Sequence, residues 1–220
     1  MKIFLDTANI DEIKKYSKLG IIDGITTNPA ILAKDGQDFR EILKEIIQYV
    51  DGPISGEVVS LNAEDMEHEA IALASMHPYV VVKLPANFEG LKALNKISER
   101  GIKTNYTLVY SANQALLAAK NGATYVSPFV GRLDANAGHG HKIIEEIVQI
   151  FKNYNFKTQV LAASMRTSLY VKKAAIAGAH AATVPPNILD DMINSELSDS
   201  ALDGFLKEWQ NLPESKRNIF

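Results

Sequence analysis

The sequence contains no cysteine, which excludes a disulfide framework, thiolate zinc sites, iron–sulfur clusters and a cysteine nucleophile. It also lacks an excess of positive charge, because it has 23 lysines and arginines and 26 aspartates and glutamates, which gives a net charge of −3. No apolar run approaches the roughly 18 residues that a membrane span needs, and the chain turns acidic at Asp6 before a signal-peptide core can form. These absences predict a cytoplasmic protein that binds neither nucleic acid nor membrane.

What is present is an ordinary globular composition, with 46% hydrophobic and 22% charged residues, and this argues against disorder. A chain of 220 residues buries about 70–75% of its unfolded surface, so its core needs no disulfide or metal to hold it. We therefore expect residues 1–220 to form a single domain.

Eight short runs of apolar and β-branched residues alternate with longer amphipathic stretches. The runs are apolar along nearly their whole length, which is typical of parallel strands buried on both faces. The predicted strands are Lys2–Asp6, Gly24–Thr26, Ile54–Val59, Val80–Leu84, Lys103–Tyr106, Tyr125–Ser127, Thr158–Ala162 and Ala181–Val184.

The stretches between these runs carry apolar residues at helical spacing. In Asp38–Tyr49, Phe39, Ile42 and Ile46 repeat at helical intervals, and Lys142–Phe151 has the same pattern. Eight β–α alternations with short connections predict an α/β fold, a single (β/α)8 TIM barrel. A six-stranded open sheet is the alternative, but no long crossover favours it.

Two helices are predicted after the eighth strand, a short one near Asn187–Ile193 and an additional C-terminal amphipathic helix within residues 198–212. The C-terminal helix either packs on its own barrel or covers a neighbouring subunit, and the pattern alone leaves both interpretations open. Its apolar face consists of Leu202, Phe205, Leu206 and Trp209.

Chemistry in such a barrel occurs where the strands end, so polar residues at strand ends are the candidates. Lys83 follows the apolar run Tyr79–Val82, and burial of an amine favours its neutral, nucleophilic form. The alternative is a lysine that extends to solvent from the strand end.

Asp6 and Glu57 are two separated carboxylates that can divide proton transfers between them. The alternatives are a helix N-cap for Asp6 and a solvated loop charge for Glu57.

The chain holds only five arginines, and two of them, Arg132 and Arg166, follow predicted strands six and seven. Guanidinium groups bind phosphate in bidentate fashion, and Ser164 lies close by in sequence, so an anion site is favoured over two surface ion pairs.

The segment from Gly138 to His141 lacks the third glycine of a dinucleotide fingerprint. Its two histidines, His139 and His141, have no evident third metal ligand.

Five segments together resemble the transaldolase family, in order and over essentially the whole chain. Ala163-Ser164-Met165-Arg166 and Ser127-Pro128-Phe129-Val130-Gly131-Arg132 match the phosphate-side motifs, and Val81-Val82-Lys83-Leu84-Pro85 resembles the Schiff-base lysine segment. The remaining matches are Asp23-Gly24-Ile25-Thr26-Thr27-Asn28-Pro29-Ala30 and Asn105-Tyr106-Thr107-Leu108. The chain length is similar to that of the small transaldolase subfamily, which also contains fructose-6-phosphate aldolases.

The resemblance implies class I aldol chemistry on sugar phosphates, with no cofactor and no metal. Lys83 would form an imine with C2 of a ketose phosphate, and Asp6 would take and return the C4 hydroxyl proton. Glu57 and Thr107 would hold the water that moves protons during imine formation. The residues implied in binding the substrate are Thr27, Asn28, Asn105, Ser127, Phe129, Arg132, Ser164 and Arg166. Of these, Arg132, Ser164 and Arg166 would bind the phosphate.

The same resemblance distinguishes transfer from release of dihydroxyacetone. Aldolases of the family tend to carry Tyr, Gln and Lys where this chain has Phe129, Glu57 and Arg166, so the three positions match transaldolase. A barrel that binds sugar phosphate without turnover is a remote alternative, because every reactive position is filled. Small members of the family form pentamers or decamers and exchange the terminal helix, which implies a homo-oligomer here.

Overall fold

The computed structural model describes residues 1–36, 38–137 and 140–217. Within these ranges the chain alternates strands and helices from β1 onward. The strands are β1 Lys2–Asp6, β2 Gly24–Thr26, β3 Ile54–Glu57, β4 Val80–Pro85, β5 Thr104–Val109, β6 Tyr125–Pro128, β7 Gln159–Ala162 and β8 Ala181–Val184.

Helices follow the strands, and most begin at a short polar residue whose side chain caps the free backbone N–H groups. The helices are α1 Ile10–Ser17, α2 Pro29–Asp35, α3 Phe39–Ile46, α4 Ala63–Ala74, α5 Phe88–Glu99, α6 Ala112–Lys120, α7 Val130–Ala137, α8 Gly140–Asn153, α9 Ser168–Ile176, α10 Pro186–Ile193 and α11 Glu196–Gln210. No helix in the described ranges is both long and apolar enough to cross a membrane.

The eight strands form one closed parallel barrel in sequence order, with β8 paired back to β1. The predicted (β/α)8 barrel with an additional C-terminal helix is therefore confirmed, and the six-stranded open sheet is wrong. Most of the core lies between the barrel and its helices. A small inner cluster fills the barrel itself and consists of Phe4, Val81, Tyr125, Leu161 and Ala181.

The inner cluster fixes where the polar side chains point, because alternate residues of a strand face the same side. Asp6 lies two residues after Phe4, Lys83 two after Val81, and Ser127 two after Tyr125. The apolar residues therefore form a floor across the barrel, and the next inward layer toward the carboxyl ends of the strands is polar.

Some predicted boundaries are wrong, and the hydrogen bonds explain why. β3 ends at Glu57 rather than Val59, because the backbone N–H of Val59 donates to the Glu69 carboxylate at 2.8 Å and leaves the sheet. The predicted helix Asp38–Tyr49 is α3, which ends at Ile46 and continues as a turn, with the Tyr49 N–H bonded to the Ile46 carbonyl at 2.9 Å.

The C-terminal helix begins earlier than residue 198, because the Ser195 side chain accepts a hydrogen bond from the Ser198 N–H and caps α11 at Glu196. No residue of α11 is buried, and its apolar side chains include Phe205 at 72% and Leu202 at 55% exposure. The interpretation in which this helix packs on its own barrel is therefore wrong.

Candidate active site at the carboxyl ends of the strands

Lys83 lies inside the barrel mouth, with a side chain only 8% exposed. Its Nζ atom is 2.9 Å from Glu57 Oε2 and donates a hydrogen bond to the Thr27 carbonyl at 3.0 Å. Glu57 and Lys83 are register partners on β3 and β4, so the sheet itself places them side by side. The alternatives of a solvent-extended lysine and a solvated loop carboxylate are both wrong.

Asp6 ends β1 and is opposite Thr26 in the register of β1 with β2. The Thr26 hydroxyl donates to Asp6 Oδ1 at 2.6 Å. Burial raises the pKa of Asp6, while the bond from Thr26 and the positive charge of Lys83 act in the opposite direction. The N-cap interpretation of Asp6 is wrong, because the Asn9 side chain caps α1.

Two polar atoms on β5 are buried at the site without a hydrogen-bond partner among the described residues. They are Asn105 Nδ2 and Thr107 Oγ1. The Oδ1 atom of Asn105 is occupied, because it accepts a 2.7 Å hydrogen bond from the Ser127 hydroxyl. Unpartnered polar atoms are costly to bury, so these two indicate a place where a polar ligand or water completes the structure.

The backbone after Thr107 has an unusual conformation that ends the regular ladder. Leu108 has φ +59°, which a residue with a side chain rarely adopts, and the register of β5 with β6 shifts between Tyr106 and Val109. Such irregularities occur at barrel rims next to active sites, where they re-aim a side chain.

Thr27 and Asn28 follow β2 and serve the local structure as well as the site. The Thr27 hydroxyl donates to the Ser55 carbonyl at 2.7 Å, so this residue meets Lys83 through its backbone carbonyl. Asn28 Oδ1 caps α2 by accepting from the N–H groups of Ala30 and Ile31, both at 3.0 Å. The Asn28 amide nitrogen is the group left to face a ligand.

The chain segments that follow β6 and β7 approach each other closely. The Val130 N–H donates to the Ala163 carbonyl at 3.1 Å, and a Cβ atom added at Gly131 would lie 2.1 Å from the Ser164 carbonyl oxygen. Ser164 itself has φ +61°. The Arg166 side chain crosses directly over Gly131, so the two segments predicted to bind phosphate lie together.

Arg132 is held by two aromatic side chains. Its guanidinium lies 5.6 Å from the centre of the Phe129 ring, and its Nη1 donates to the Tyr110 hydroxyl at 3.4 Å. Within the described part of the chain, neither Arg132 nor Arg166 forms an ion pair with a carboxylate. The surface ion-pair interpretation is therefore wrong, and both guanidinium groups are available to an anion.

These side chains enclose a cavity of about 170 Å³ at the carboxyl ends of the strands. A larger groove of about 710 Å³ lies on the outer surface between α4 and α5, away from these side chains. The cavity is lined by Asp6, Thr26, Asn28, Lys83, Asn105, Thr107, Ser127, Phe129, Arg132, Ala163, Ser164 and Thr183.

Residues 3–218 match the family described as transaldolase/fructose-6-phosphate aldolase. The chain belongs to this family. Proteins described as probable transaldolases share its sequence nearly end to end. The one from Desulforamulus reducens is 54% identical over 96% of this chain and 98% of its own. The one from Caldicellulosiruptor saccharolyticus is 55% identical over 97% and 99%.

A solved structure described as native KDPGal covers 83% of this chain and 80% of its own, with a TM-score of 0.57. The two sequences are 15% identical, so this likeness supports the barrel fold alone. Membership of the transaldolase/fructose-6-phosphate aldolase family implies an enzyme that acts on sugar phosphates.

The cavity contains most of the residues that the family resemblance implies, but not all. Glu57, Thr27 and Arg166 do not line it. Glu57 and Thr27 contact Lys83, and the Arg166 side chain lies against Gly131, next to the cavity residue Arg132. Thr26 and Thr183 line the cavity and were not predicted. Thr183 lies two residues after Ala181 of the inner cluster, and Thr26 lies two residues after Gly24, which faces the Phe4 ring.

No group of three or more histidine, aspartate or glutamate side chains in the described ranges is arranged to hold a metal ion. His139, one of the two histidines considered in the sequence, lies outside the described residues.

Proposed function

We propose that this enzyme is a transaldolase, which moves a dihydroxyacetone unit from a ketose phosphate to an aldose phosphate. The donor is sedoheptulose 7-phosphate or fructose 6-phosphate, and the acceptor is glyceraldehyde 3-phosphate or erythrose 4-phosphate, as in the non-oxidative pentose phosphate pathway of the cytoplasm. The observation that carries the proposal is the buried Lys83, 2.9 Å from Glu57 and beside a cavity with unpartnered polar atoms.

Lys83 acts as the nucleophile. Glu57 accepts a proton from Nζ across the 2.9 Å contact, and the neutral amine attacks C2 of the ketose. Glu57 then returns the proton to the C2 hydroxyl, and loss of that hydroxyl as water gives the protonated imine. Thr107 Oγ1 is the buried hydroxyl that binds this water, and Glu57 exchanges protons with it.

Asp6 acts as the base that cleaves the carbon–carbon bond. It takes the proton of the C4 hydroxyl, the C3–C4 bond breaks, and the bonding electrons move toward the imine nitrogen to give an enamine. The aldose phosphate leaves. When an acceptor aldehyde enters, C3 attacks it and Asp6 returns the proton to the new hydroxyl oxygen. A pKa raised by burial suits a carboxyl group that must both take and return a proton.

The three-carbon unit is bound by amide and hydroxyl groups that line the cavity. Asn105 Nδ2 and the amide nitrogen of Asn28 supply donors, and Ser127 lies beside Asn105. These groups are neutral, so they bind the dihydroxyacetone hydroxyls without competing with Lys83 or Asp6 for protons.

The phosphate is bound at the rim by Arg132, Ser164 and Arg166. Support comes from two guanidinium groups free of carboxylate partners in the described ranges. It also comes from the close approach at Gly131, which brings together the segments that follow β6 and β7. Tyr110 holds Arg132 from the outside, so that the guanidinium does not need to be ordered by the substrate.

Phe129 favours transfer over release of dihydroxyacetone, because a phenyl ring offers no hydroxyl to position water or protonate the enamine. We expect Phe129→Tyr to raise the ratio of fructose 6-phosphate cleavage to transfer by about tenfold, which is less than the roughly 10²-fold or more that a fully positioned general acid or base contributes. The measurement is the rate of free dihydroxyacetone formation against the transfer rate in the same enzyme preparation.

The matched control is Phe88→Tyr, which adds the same hydroxyl to a ring that is 75% exposed at the start of α5. This control leaves the ratio unchanged. An unchanged ratio in Phe129→Tyr as well would refute the role given to the ring.

We also propose a homo-oligomer in which α11 packs on a neighbouring copy, because this helix has an apolar face and no buried residue. The double variant Leu202→Glu/Phe205→Glu is expected to sediment as a monomer. Ser200→Glu, a charge added to another face of α11, keeps the native mass. A double variant with the sedimentation coefficient of the native protein would contradict the proposal.

The test of the proposed function is product analysis with fructose 6-phosphate, with and without erythrose 4-phosphate. A transaldolase forms sedoheptulose 7-phosphate and glyceraldehyde 3-phosphate only when the acceptor is present. Free dihydroxyacetone that accumulates without acceptor identifies a fructose-6-phosphate aldolase instead. A protein that binds fructose 6-phosphate and converts none is a non-catalytic sugar-phosphate-binding barrel.

A further inference from the structure

Three side chains from three strands form a hydrogen-bonded chain along one wall of the cavity. The Thr26 hydroxyl donates to Asp6 Oδ1 at 2.6 Å, and a second hydrogen bond joins the hydroxyl groups of Thr26 and Thr183. Both threonines are buried, and all three residues line the cavity. Thr183 therefore belongs to the site, although it does not contact Asp6 through a hydrogen bond of its own.

The closed barrel creates this chain. β1 lies between β2 and β8, with Asp6 opposite Thr26 on one side and Phe4 opposite Thr183 on the other. Asp6, Thr26 and Thr183 all point inward, so Thr26 reaches across the inner face of β1 to Thr183. A sheet that did not close between β8 and β1 would not bring these two hydroxyl groups together.

The direction of the chain follows from hydrogen-bond chemistry. An ionised carboxylate only accepts hydrogen bonds, and a hydroxyl has one hydrogen to donate. Because Thr26 donates its hydrogen to Asp6, its oxygen accepts from the Thr183 hydroxyl. Thr183 thereby keeps the Thr26 hydrogen directed at Asp6 and strengthens that bond by polarising it.

The charged groups around Asp6 make this bond important. Burial disfavours the carboxylate, Lys83 on β4 favours it, and Glu57 on β3 disfavours it. The bond from Thr26 opposes the largest of these effects, which is burial. The facing residues of β2 and β8, Thr26 and Thr183, carry no charge.

We propose that Thr183 is a positioning residue, which acts through Thr26 to hold Oδ1 of Asp6 and so reserves Oδ2 for proton exchange with the substrate. The inference rests on the proposed role of Asp6 in aldol cleavage. When Asp6 takes the C4 proton, the Thr26 bond at Oδ1 keeps that proton on Oδ2. The acid is then already oriented toward the acceptor aldehyde when the proton must be returned.

The experiment compares Thr183→Val, which has the same shape without the hydroxyl, with Thr183→Ser, which keeps the hydroxyl. We expect Thr183→Val to lower kcat about threefold to tenfold, with the donor KM changed less than about twofold. Thr183→Ser restores most of kcat. Thr26→Val lowers kcat at least as much, and adding Thr183→Val to it costs little more, because the chain is already broken.

Two further readouts distinguish positioning from a general loss of structure. Thr158→Val removes another buried threonine hydroxyl, which bonds to the Ala123 carbonyl at 2.7 Å outside the cavity, and it leaves kcat unchanged. Carbon-13 NMR of the Asp6 carboxyl, assigned with Asp6→Asn, shows a higher pKa in Thr183→Val than in the native protein, and the native pKa in Thr158→Val.

The NMR readout separates this inference from the proposed function. If the native protein has no aldol activity but Thr183→Val still raises the pKa of Asp6, the hydrogen-bonded chain is supported and the proposed function is wrong. If the native protein is active and Thr183→Val leaves both kcat and the pKa of Asp6 unchanged, the inference about Thr183 is wrong. Equal losses in Thr183→Ser and Thr183→Val, or additive losses in the double variant, overturn it as well.

Discussion

Lys83→Met is expected to lower kcat for transfer by at least about 10⁴-fold, because the substitution removes the group that forms the covalent intermediate. Methionine has about the volume and flexibility of the lysine stem, so the barrel mouth stays filled. Glu57 loses its partner at 2.9 Å, yet it is 16% exposed and can retain water. The measurement is the steady-state rate of sedoheptulose 7-phosphate formation.

Two controls isolate the amine from the charge. Lys83→Arg keeps a positive charge beside Glu57 but has no amine that can form an imine, so it is expected to be as inactive as Lys83→Met. Lys103→Met removes the lysine that directly precedes β5, which begins at Thr104 opposite Val82. This variant is expected to keep native activity. Near-native turnover in either Lys83 variant would exclude the imine mechanism.

Asp6→Asn is expected to lower kcat by about 10²–10⁴-fold, the usual contribution of a positioned general base or acid. Asparagine keeps the shape and the oxygen that accepts from Thr26 but cannot take a proton at C4. Imine formation depends on Lys83 and Glu57 and persists, so borohydride still traps the substrate on the variant. Loss of turnover with retained trapping is the signature that separates Asp6 from Lys83.

Asp23→Asn is the matched control for Asp6→Asn. The Asp23 carboxylate accepts from the Ile3 N–H at 2.8 Å, at the opposite end of β1 from the cavity, so this variant can lose stability but keeps kcat. If Asp6→Asn loses trapping together with turnover, Asp6 acts before carbon–carbon cleavage and its role as assigned is wrong.

The barrel could be predicted from the sequence because its strands are short, apolar and separated by helical patterns of regular length. Lys83, Asp6 and Ser127 could be placed for the same reason, since each follows the apolar part of a strand. The alternation of side chains along a strand also predicts that Thr26 and Thr183 point into the barrel. Their partnership could not be predicted, because it depends on the closure between β8 and β1.

Other features of the site depend on contacts between distant segments. The ion pair of Lys83 with Glu57 comes from the register of β3 with β4, which the two strand patterns do not specify. The positive φ of Leu108 and Ser164 has no signal in residue type, because neither is the glycine that such a conformation favours. The contact of Arg132 with Tyr110 joins the start of α7 to the residue that follows β5.

The measurement that tests the central claim most directly is peptide mapping by mass spectrometry after incubation with fructose 6-phosphate and borohydride. The account predicts a single adduct, one reduced three-carbon unit, on the peptide that contains Lys83, and discharge of that unit when erythrose 4-phosphate is added before the reductant. An adduct on another lysine, or full transfer activity with no trapped adduct, would contradict it.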